Sequence, residues 1–460
     1  MKYFFLTLFL TGTLSSRLSG QITFQRTFGD SLSDYGQSVI QTPDSGYLVT
    51  GTKQVSGFTD WRLLLLRTDK LGNEIWTQLY TALGAVEIGG MSIEKTNDGN
   101  YIISGEITFS GSPYYDVYLL KVDSAGNELW HKTYGGSQSE RGMSVKQTFD
   151  SGFIICGWTR SFGAGLSDLY VIKTDANGDS LWTKTYGGTN WEYGYAVEQS
   201  PDSGYVIVGN TQQTQIFVVK TNQLGDTSWT KIIYFTGTGE ARDVKISDDG
   251  NIIIAGWISP TGVADFFLTK MDLSGNIFWF NTYGGPNGEW AYSLSKTADG
   301  GYAIFGNGNY DFYLVKTDSS GNFQWEKYFD NGFDYGYSAR QTSDGGYIMA
   351  GLSVSGQDAD VLLIKTDSLG QIFTSVNLLP DINQSISIYP NPSNNELNIH
   401  NNSTQTFQFT LYNSLGEKII NKVLIHKANT IDLSGYSNGI YFYKLISDKQ
   451  LIKSGKLIKQ

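Results

Sequence analysis

One cysteine and three histidines in 460 residues close off several kinds of chemistry. A lone cysteine permits no disulfide framework within the chain. It falls in the segment 153–157 (FIICG), where equivalent segments carry Thr50, Ser104, Val208, Ala255, Phe305 and Ala350, so Cys156 reads as a small core residue. His131 lies in a hairpin strand, while His400 and His426 lie in the last eighty residues. No Ser-His-Asp triad or zinc cluster can be assembled from them in the body of the chain. Long apolar runs are also missing. Past the N-terminus nothing approaches the ~20 residues that a transmembrane helix needs. Positive charge is scarce as well: the net charge is −11, and phosphate contacts with nucleic acid require a basic surface.

Repetition is what the chain has in abundance. Fourteen residues recur seven times without a gap, at 63–76 (LLLLRTDKLGNEIW), 117–130, 169–182, 216–229, 266–279, 312–325 and 361–374, spaced 46 to 54 residues apart. That period suits one four-stranded propeller blade. Each copy opens with a short apolar run rich in β-branched and aromatic residues, as a strand buried on both faces requires. An Asp-containing turn follows, in which the carboxylate can accept backbone amides and a glycine supplies the positive φ of a tight reversal. Trp76, Trp130, Trp182, Trp229, Trp279 and Trp325 return on the next strand, four residues after that glycine. Such a periodic large ring is expected to wedge between neighbouring blades.

Two further strands repeat between the hairpins, such as 143–148 (MSVKQT) and 101–105 (YIISG). Four strands per unit and seven units predict an all-β fold, a seven-bladed β-propeller; 54 glycines and 14% aromatic residues fit its many turns. Residues 24–29 (FQRTFG) align with 130–135 (WHKTYG), and the seventh copy ends in Thr374 where the others have tryptophan. Ring closure is therefore predicted, with the N-terminal strand completing the seventh blade and Phe24 filling the missing tryptophan's place.

The ends differ from the body. Residues 1–20 read as a secretory signal peptide, with Lys2 ahead of an apolar run to Leu10 and small polar residues after it. Residues 21–378 hold the repeats, and 379–386 read as a linker. A small β-sandwich is expected at 387–460, from alternating strands such as 396–400 (ELNIH) and 439–447 (GIYFYKLIS). Residues 381–460 carry eight lysines against five acids, so the acidity belongs to the rest of the chain.

Four segments in order, 388–399 (IYPNPSNNELNI), 411–419 (LYNSLGEKI), 431–445 (IDLSGYSNGIYFYKL) and 453–460 (KSGKLIKQ), resemble the type A sorting domain of the type IX secretion system. The resemblance implies an immunoglobulin-like sandwich that engages the type IX machinery. It also implies a cargo released outside the cell or attached to its surface. The hairpins resemble the tryptophan-docking repeats of quinoprotein-type propellers in their Gly126-to-Trp130 step, although Asp123 to Gly126 is three steps where those repeats usually have four. They also resemble the Asp-box of sialidases, with different spacing. Neither likeness carries a function. The adjacent cysteine pair of some quinoproteins is impossible here, and no cofactor or metal is expected.

Just before each inner strand stands an acid: Asp34, Glu87, Glu140, Glu192, Glu240, Glu289 and Asp334. Read as one register, they are expected to ring one mouth of the central channel. Each carboxylate could cap amides of its own loop, one or two neighbours could hold a cation, or a pair could bind or cleave a glycosidic bond. The same loops carry Trp191, Tyr193, Tyr195, Trp290, Tyr292, Phe333, Tyr335 and Tyr337. Aromatic faces beside carboxylates suit a sugar. The expectation is a binding or adhesion module for a glycan or protein, with a secreted glycoside hydrolase or lyase as the alternative. No catalytic residue is assigned.

Overall fold

In a computed structural model of the chain, the described residues are 21–56, 60–211, 215–329, 332–356, 358–372, 386–401, 406–413, 416–424, 427–447 and 450–460, and they form strands and turns with no helix. The proposed signal peptide, Thr374 and most of the proposed linker lie outside them. The chain divides into two compact units at 372/373.

The first unit repeats one antiparallel arrangement. A third-repeat example runs Glu140–Gln147, Phe153–Thr159, Asp168–Thr174 and Ser180–Tyr186, each strand pairing with the next. The first two repeats are joined into one eight-stranded sheet by a single parallel pair, Trp61 with Glu87. The third strand of each repeat is the apolar run of the fourteen-residue motif. Asp168–Thr174, for instance, is buried at every position, as expected of a strand covered on both faces.

The seventh repeat has only three strands of its own, and Phe24–Phe28 supplies the fourth, pairing with Asp358–Thr366. Phe24 stands opposite Lys365, as Trp130 stands opposite Lys121 and Trp325 opposite Lys316. Its neighbours match too. A Cβ on Gly126 would strike the Trp76 ring, one on Gly178 the Trp130 ring, and one on Gly72 the Phe24 ring. Each large ring thus lies over the hairpin turn of the following repeat, at a glycine of positive φ.

Inner strands of successive repeats touch, and Phe333–Gln341 of the seventh also touches Asp34–Gln41 of the first. The Val39 amide donates to Ser338 Oγ at 3.2 Å, and the Ser343 amide donates to Gln41 Oε1 at 2.8 Å. The same bonds recur between consecutive repeats, from Ala339 N to Ser293 Oγ and from Ala298 N to Gln341 Oε1.

One device was not read from the sequence. In every repeat a basic residue near the end of the third strand pairs with the aspartate of the turn between the first two: Arg67 with Asp44, Lys121 with Asp98, Lys173 with Asp150, Lys220 with Asp202, Lys270 with Asp249, Lys316 with Asp299 and Lys365 with Asp344. Lys173 is 3% exposed, and its Nζ also donates to the Thr174 carbonyl. Burial opposes ionisation of Asp150, but hydrogen bonds from Thr148 and Lys173 outweigh it and hold the carboxyl below its ordinary range. The hairpin aspartates act as expected. Asp123 Oδ1 accepts the Ala125 and Asn127 amides, and Asn222 takes the same role in the fourth repeat through Leu224 and Asp226.

The second unit has two sheets, one of Ile386–Tyr389, Glu396–Asn401 and Lys427–Asp432, the other of Lys418–Leu424, Phe407–Tyr412, Gly439–Ser447 and Gln450–Lys459. They share a core that includes Leu397, Ile399, Phe409, Leu411, Leu445 and Leu457. The strand Lys427–Asp432 was not anticipated, since its sequence KANTID offers little apolar alternation.

Candidate binding site at the bulged inner strands

In all seven repeats the inner strand carries a β-bulge at one place, between Gly36/Ser38, Gly90/Ser92, Gly142/Ser144, Gly194/Ala196, Ala241/Asp243, Ala291/Ser293 and Gly336/Ser338. The skipped residues are Gln37, Met91, Met143, Tyr195, Arg242, Tyr292 and Tyr337. All seven line one cavity of about 90 Å³, to which every inner strand contributes. Bulges re-aim side chains in this way. Arg242 lies 3.9 Å from the Tyr195 ring centre and 5.1 Å from that of Tyr292, and it pairs with Glu240, so the opening is partly filled.

Immediately before the bulge, conservation among the repeats gives way to variety. The second strand presents a glycine at each of these sites; at Gly157 a Cβ would fall 1.7 Å from the Arg141 carbonyl oxygen, so only glycine fits. One step further on, the paired residues become Tyr35/Thr52, Gly89/Glu106, Arg141/Trp158, Tyr193/Asn210, Glu240/Trp257, Trp290/Asn307 and Tyr335/Leu352. No two repeats share a pair. Identical scaffolds therefore hold up a tier of different side chains.

The seven acids do not stand in one register. Asp34, Glu140, Glu192, Glu289 and Asp334 occupy the next paired position, opposite Lys53, Thr159, Thr211, Gly308 and Ser353. In the second and fifth repeats that position holds Ile88 opposite Ile107 and Gly239 opposite Ile258, with Glu87 and Glu240 one residue to either side. A one-residue offset turns a side chain to the other face, so the expected single ring of seven is corrected to five acids and two outliers.

Most of the five are occupied. Glu140 is fully buried and accepts the Gly136 amide at 2.8 Å, the Thr159 hydroxyl at 2.7 Å and the Ser161 amide at 3.1 Å. Glu192 accepts from the Gly188 amide and the Thr211 hydroxyl, and Glu289 from the Gly285 amide at 3.1 Å. Burial, reinforced by Asp265 and opposed by the Gly285 amide, raises the Glu289 carboxyl. Asp34 pairs with Lys53 at 2.7 Å, yet burial and the nearby Asp30 and Asp360 push it up to about 6. Asp334 is buried. Glu87 accepts the Tyr115 hydroxyl at 3.0 Å. Among the described residues, no group of three or more His, Cys, Asp or Glu is arranged to hold a metal.

The aromatic candidates fare differently. Trp290 is 39% and Tyr335 37% exposed, and both belong to the variable tier. Tyr35, Tyr335 and Tyr337 line a cavity of about 470 Å³ together with Leu352, Val354 and Asp358. Trp191 stacks on Tyr193, with ring centres 6.2 Å apart. Sequence reasoning missed Arg141, Trp158, Arg160 and Glu106 on the same side. The signal was available as the column of residues that differ between otherwise matching inner strands.

These features describe an all-β protein of repeated four-stranded sheets that carries one variable tier. Residues 387–460 match the family described as the secretion system C-terminal sorting domain. That domain marks proteins exported by the type IX secretion system, so this protein is directed to the extracellular space or the outer cell surface. The regulatory protein FlaEY of Caulobacter vibrioides is 25% identical over 141 residues, which are 27% of this chain and 15% of FlaEY. Among solved structures, the extracellular domain of a putative hybrid two-component system from B. thetaiotaomicron aligns at 12% identity and a TM-score of 0.43, covering 95% of this chain and 57% of that one. PorZ of Porphyromonas gingivalis, an essential surface component of the type IX secretion system, aligns at 9% identity and a TM-score of 0.36, covering 92% of this chain and 74% of PorZ. The chain thus spans less than two thirds of the length of FlaEY and of that extracellular-domain chain. No described helix is long and apolar enough to cross a membrane.

Proposed function

We propose that the seven units close into a seven-bladed β-propeller over residues 21–378, preceded by a signal peptide at 1–20 and joined through a linker at 379–386 to the sorting domain. On that reading, the exported protein is a non-enzymatic binding or adhesion module for a glycan or a surface protein. Support for closure comes from the strand Phe24–Phe28 in the seventh sheet and from the contacts between the seventh and first inner strands.

The observation that carries the binding reading is the variable tier. Scaffold positions repeat from unit to unit, whereas no two units have the same pair of residues beside the bulge, and these pairs include Tyr35, Trp158, Tyr193, Trp257, Trp290 and Tyr335. A scaffold needs no such variety, but an asymmetric ligand does. Flat aromatic side chains offer large contact area at low entropic cost. The carboxylates are less available for glycoside chemistry, because Glu140 and Glu192 are buried in bonds to their own loops and the facing threonines.

A glycan and protein array probed with the full-length protein, beside Trp290→Ala and Tyr335→Ala variants, tests the proposal. Binding that leaves the ligand intact and weakens in the variants is expected. Binding unchanged in both variants, or absence of any ligand, counts against it.

A further inference from the structure

The variable tier is not electrically uniform. Around its Arg141/Trp158 pair, aromatic rings and guanidinium groups of the second to fourth repeats alternate. Arg141 lies 4.7 Å from the centre of the Tyr115 ring and 5.8 Å from that of Trp158. Arg160 lies 5.5 Å from the Trp158 ring and 5.1 Å from the Trp191 ring. The order is therefore Tyr115, Arg141, Trp158, Arg160, Trp191, drawn from three consecutive repeats. The Tyr195, Arg242 and Tyr292 row of the fourth to sixth repeats has a single guanidinium, and that one is paired with Glu240.

The two arginines are not equivalent. Arg141 pairs through Nε with the buried Glu106, whose carboxyl burial pushes up to about 7 against the pull of Arg141. Arg160 is exposed, and no described carboxylate lies within ion-pair distance of it. An unneutralised cation held between two indoles is unusual on a chain of net charge −11. The Arg160 guanidinium lies within the ~6 Å of both ring centres at which a cation is attracted to an aromatic face. Its in-plane N–H groups are left free, in the fork geometry that takes a carboxylate or sulfate through two parallel hydrogen bonds. The half-exposed rings of Trp158 and Trp191 on either side offer flat surfaces for sugar rings.

Resting on the binding reading above, we infer that the Arg160 ladder is a subsite for an acidic polysaccharide, with Arg160 taking the carboxylate or sulfate of one residue and Trp158 and Trp191 stacking on its neighbours. An acidic polypeptide offers the same charge without flat ring faces, and it serves as the contrast.

Isothermal titration of the full-length protein against polygalacturonate and its methyl ester, dextran sulfate and dextran, and polyglutamate separates these cases. At least one acidic polysaccharide is expected to bind about tenfold more tightly than its neutral counterpart, with the advantage shrinking as salt is raised. Arg160→Ala is expected to remove that advantage and leave the neutral polymer unaffected. Arg160→Lys should recover only part, because it restores charge without the fork. Trp191→Ala should weaken acidic and neutral forms alike. Matched thermal midpoints would show that the variants fold. Equal binding of acidic and neutral polymers, or Arg160→Ala without effect, overturns the inference and leaves the binding reading intact. Polyglutamate bound as tightly as the acidic polysaccharides overturns the choice of sugar. No binding to any polysaccharide overturns the inference and the glycan half of the proposed function.

Discussion

Truncating Phe24 tests the proposed closure of the first unit. Phe24 is 6% exposed, meets Tyr47 edge-on with ring centres 5.8 Å apart, and lies over Gly72. It belongs to a core cluster with Val49, Leu66, Ile348, Val361 and Leu363, which combines residues of the first and seventh repeats. Phe→Ala at a buried site costs about 3–5 kcal/mol. A change of that size should disconnect a strand of only five residues and leave Asp358–Thr366 as an open edge. Phe24→Trp adds volume but restores the residue found in the other six copies, and should cost no more than the roughly 1–3 kcal/mol of overpacking, less than Phe24→Ala. All eleven tryptophans lie between residues 61 and 325, so tryptophan fluorescence in a urea titration follows the first unit alone. Phe24→Ala costing less than about 1 kcal/mol would refute the idea that this strand closes the structure.

Three further outcomes follow from the packing. Asp34 has a folded pKa raised to about 6; its contribution is present below its unfolded value near 4 and is lost as pH rises through 6. At roughly 1.4 kcal/mol per pH unit, the loss is at most about 3 kcal/mol. Asp34→Asn should therefore flatten the stability profile between pH 4 and 7, and an unchanged slope in urea titrations at several pH values would sink the argument. Asp150→Ala leaves the buried Lys173 with only the Thr174 carbonyl as an acceptor among the described residues and should cost about 1–3 kcal/mol. Adding Lys173→Met should return most of it, and a double-mutant cycle without coupling would show that the clamp contributes nothing. The Cys156 thiol is fully buried, and burial pushes its pKa up. It should ignore an aromatic disulfide reagent in the native protein and react once in urea; rapid native labelling would place it elsewhere.

Much of this was written in the local sequence, because local periodicity decides it. The spacing of the hairpin motif, its Asp-to-Gly turn and its buried third strand are properties of short segments, and the structure has them at every copy, with Asn222 in the aspartate's place in the fourth. Phe24 as a stand-in for tryptophan was legible for the same reason, since its strand aligns with its counterparts residue for residue. The sorting segment was recognisable from four motifs, yet the strand Lys427–Asp432 was not, because its pairing with Glu396–Asn401 rather than its own pattern makes it a strand.

What only the tertiary structure decided is register and facing. Seven acids at nearly equal offsets looked alike in sequence, but the pairing puts Ile88 and Gly239 in two of their places and turns Glu87 and Glu240 aside. The bulge that aims Tyr195 and Arg242 into one cavity exists only once two strands are paired. The Arg160 ladder needs three repeats side by side, since Tyr115 and Trp191 are distant in the chain and meet Arg141 and Arg160 only when the sheets pack. A repeat fixes its own scaffold locally, whereas a site shared between repeats is set by how their sheets meet.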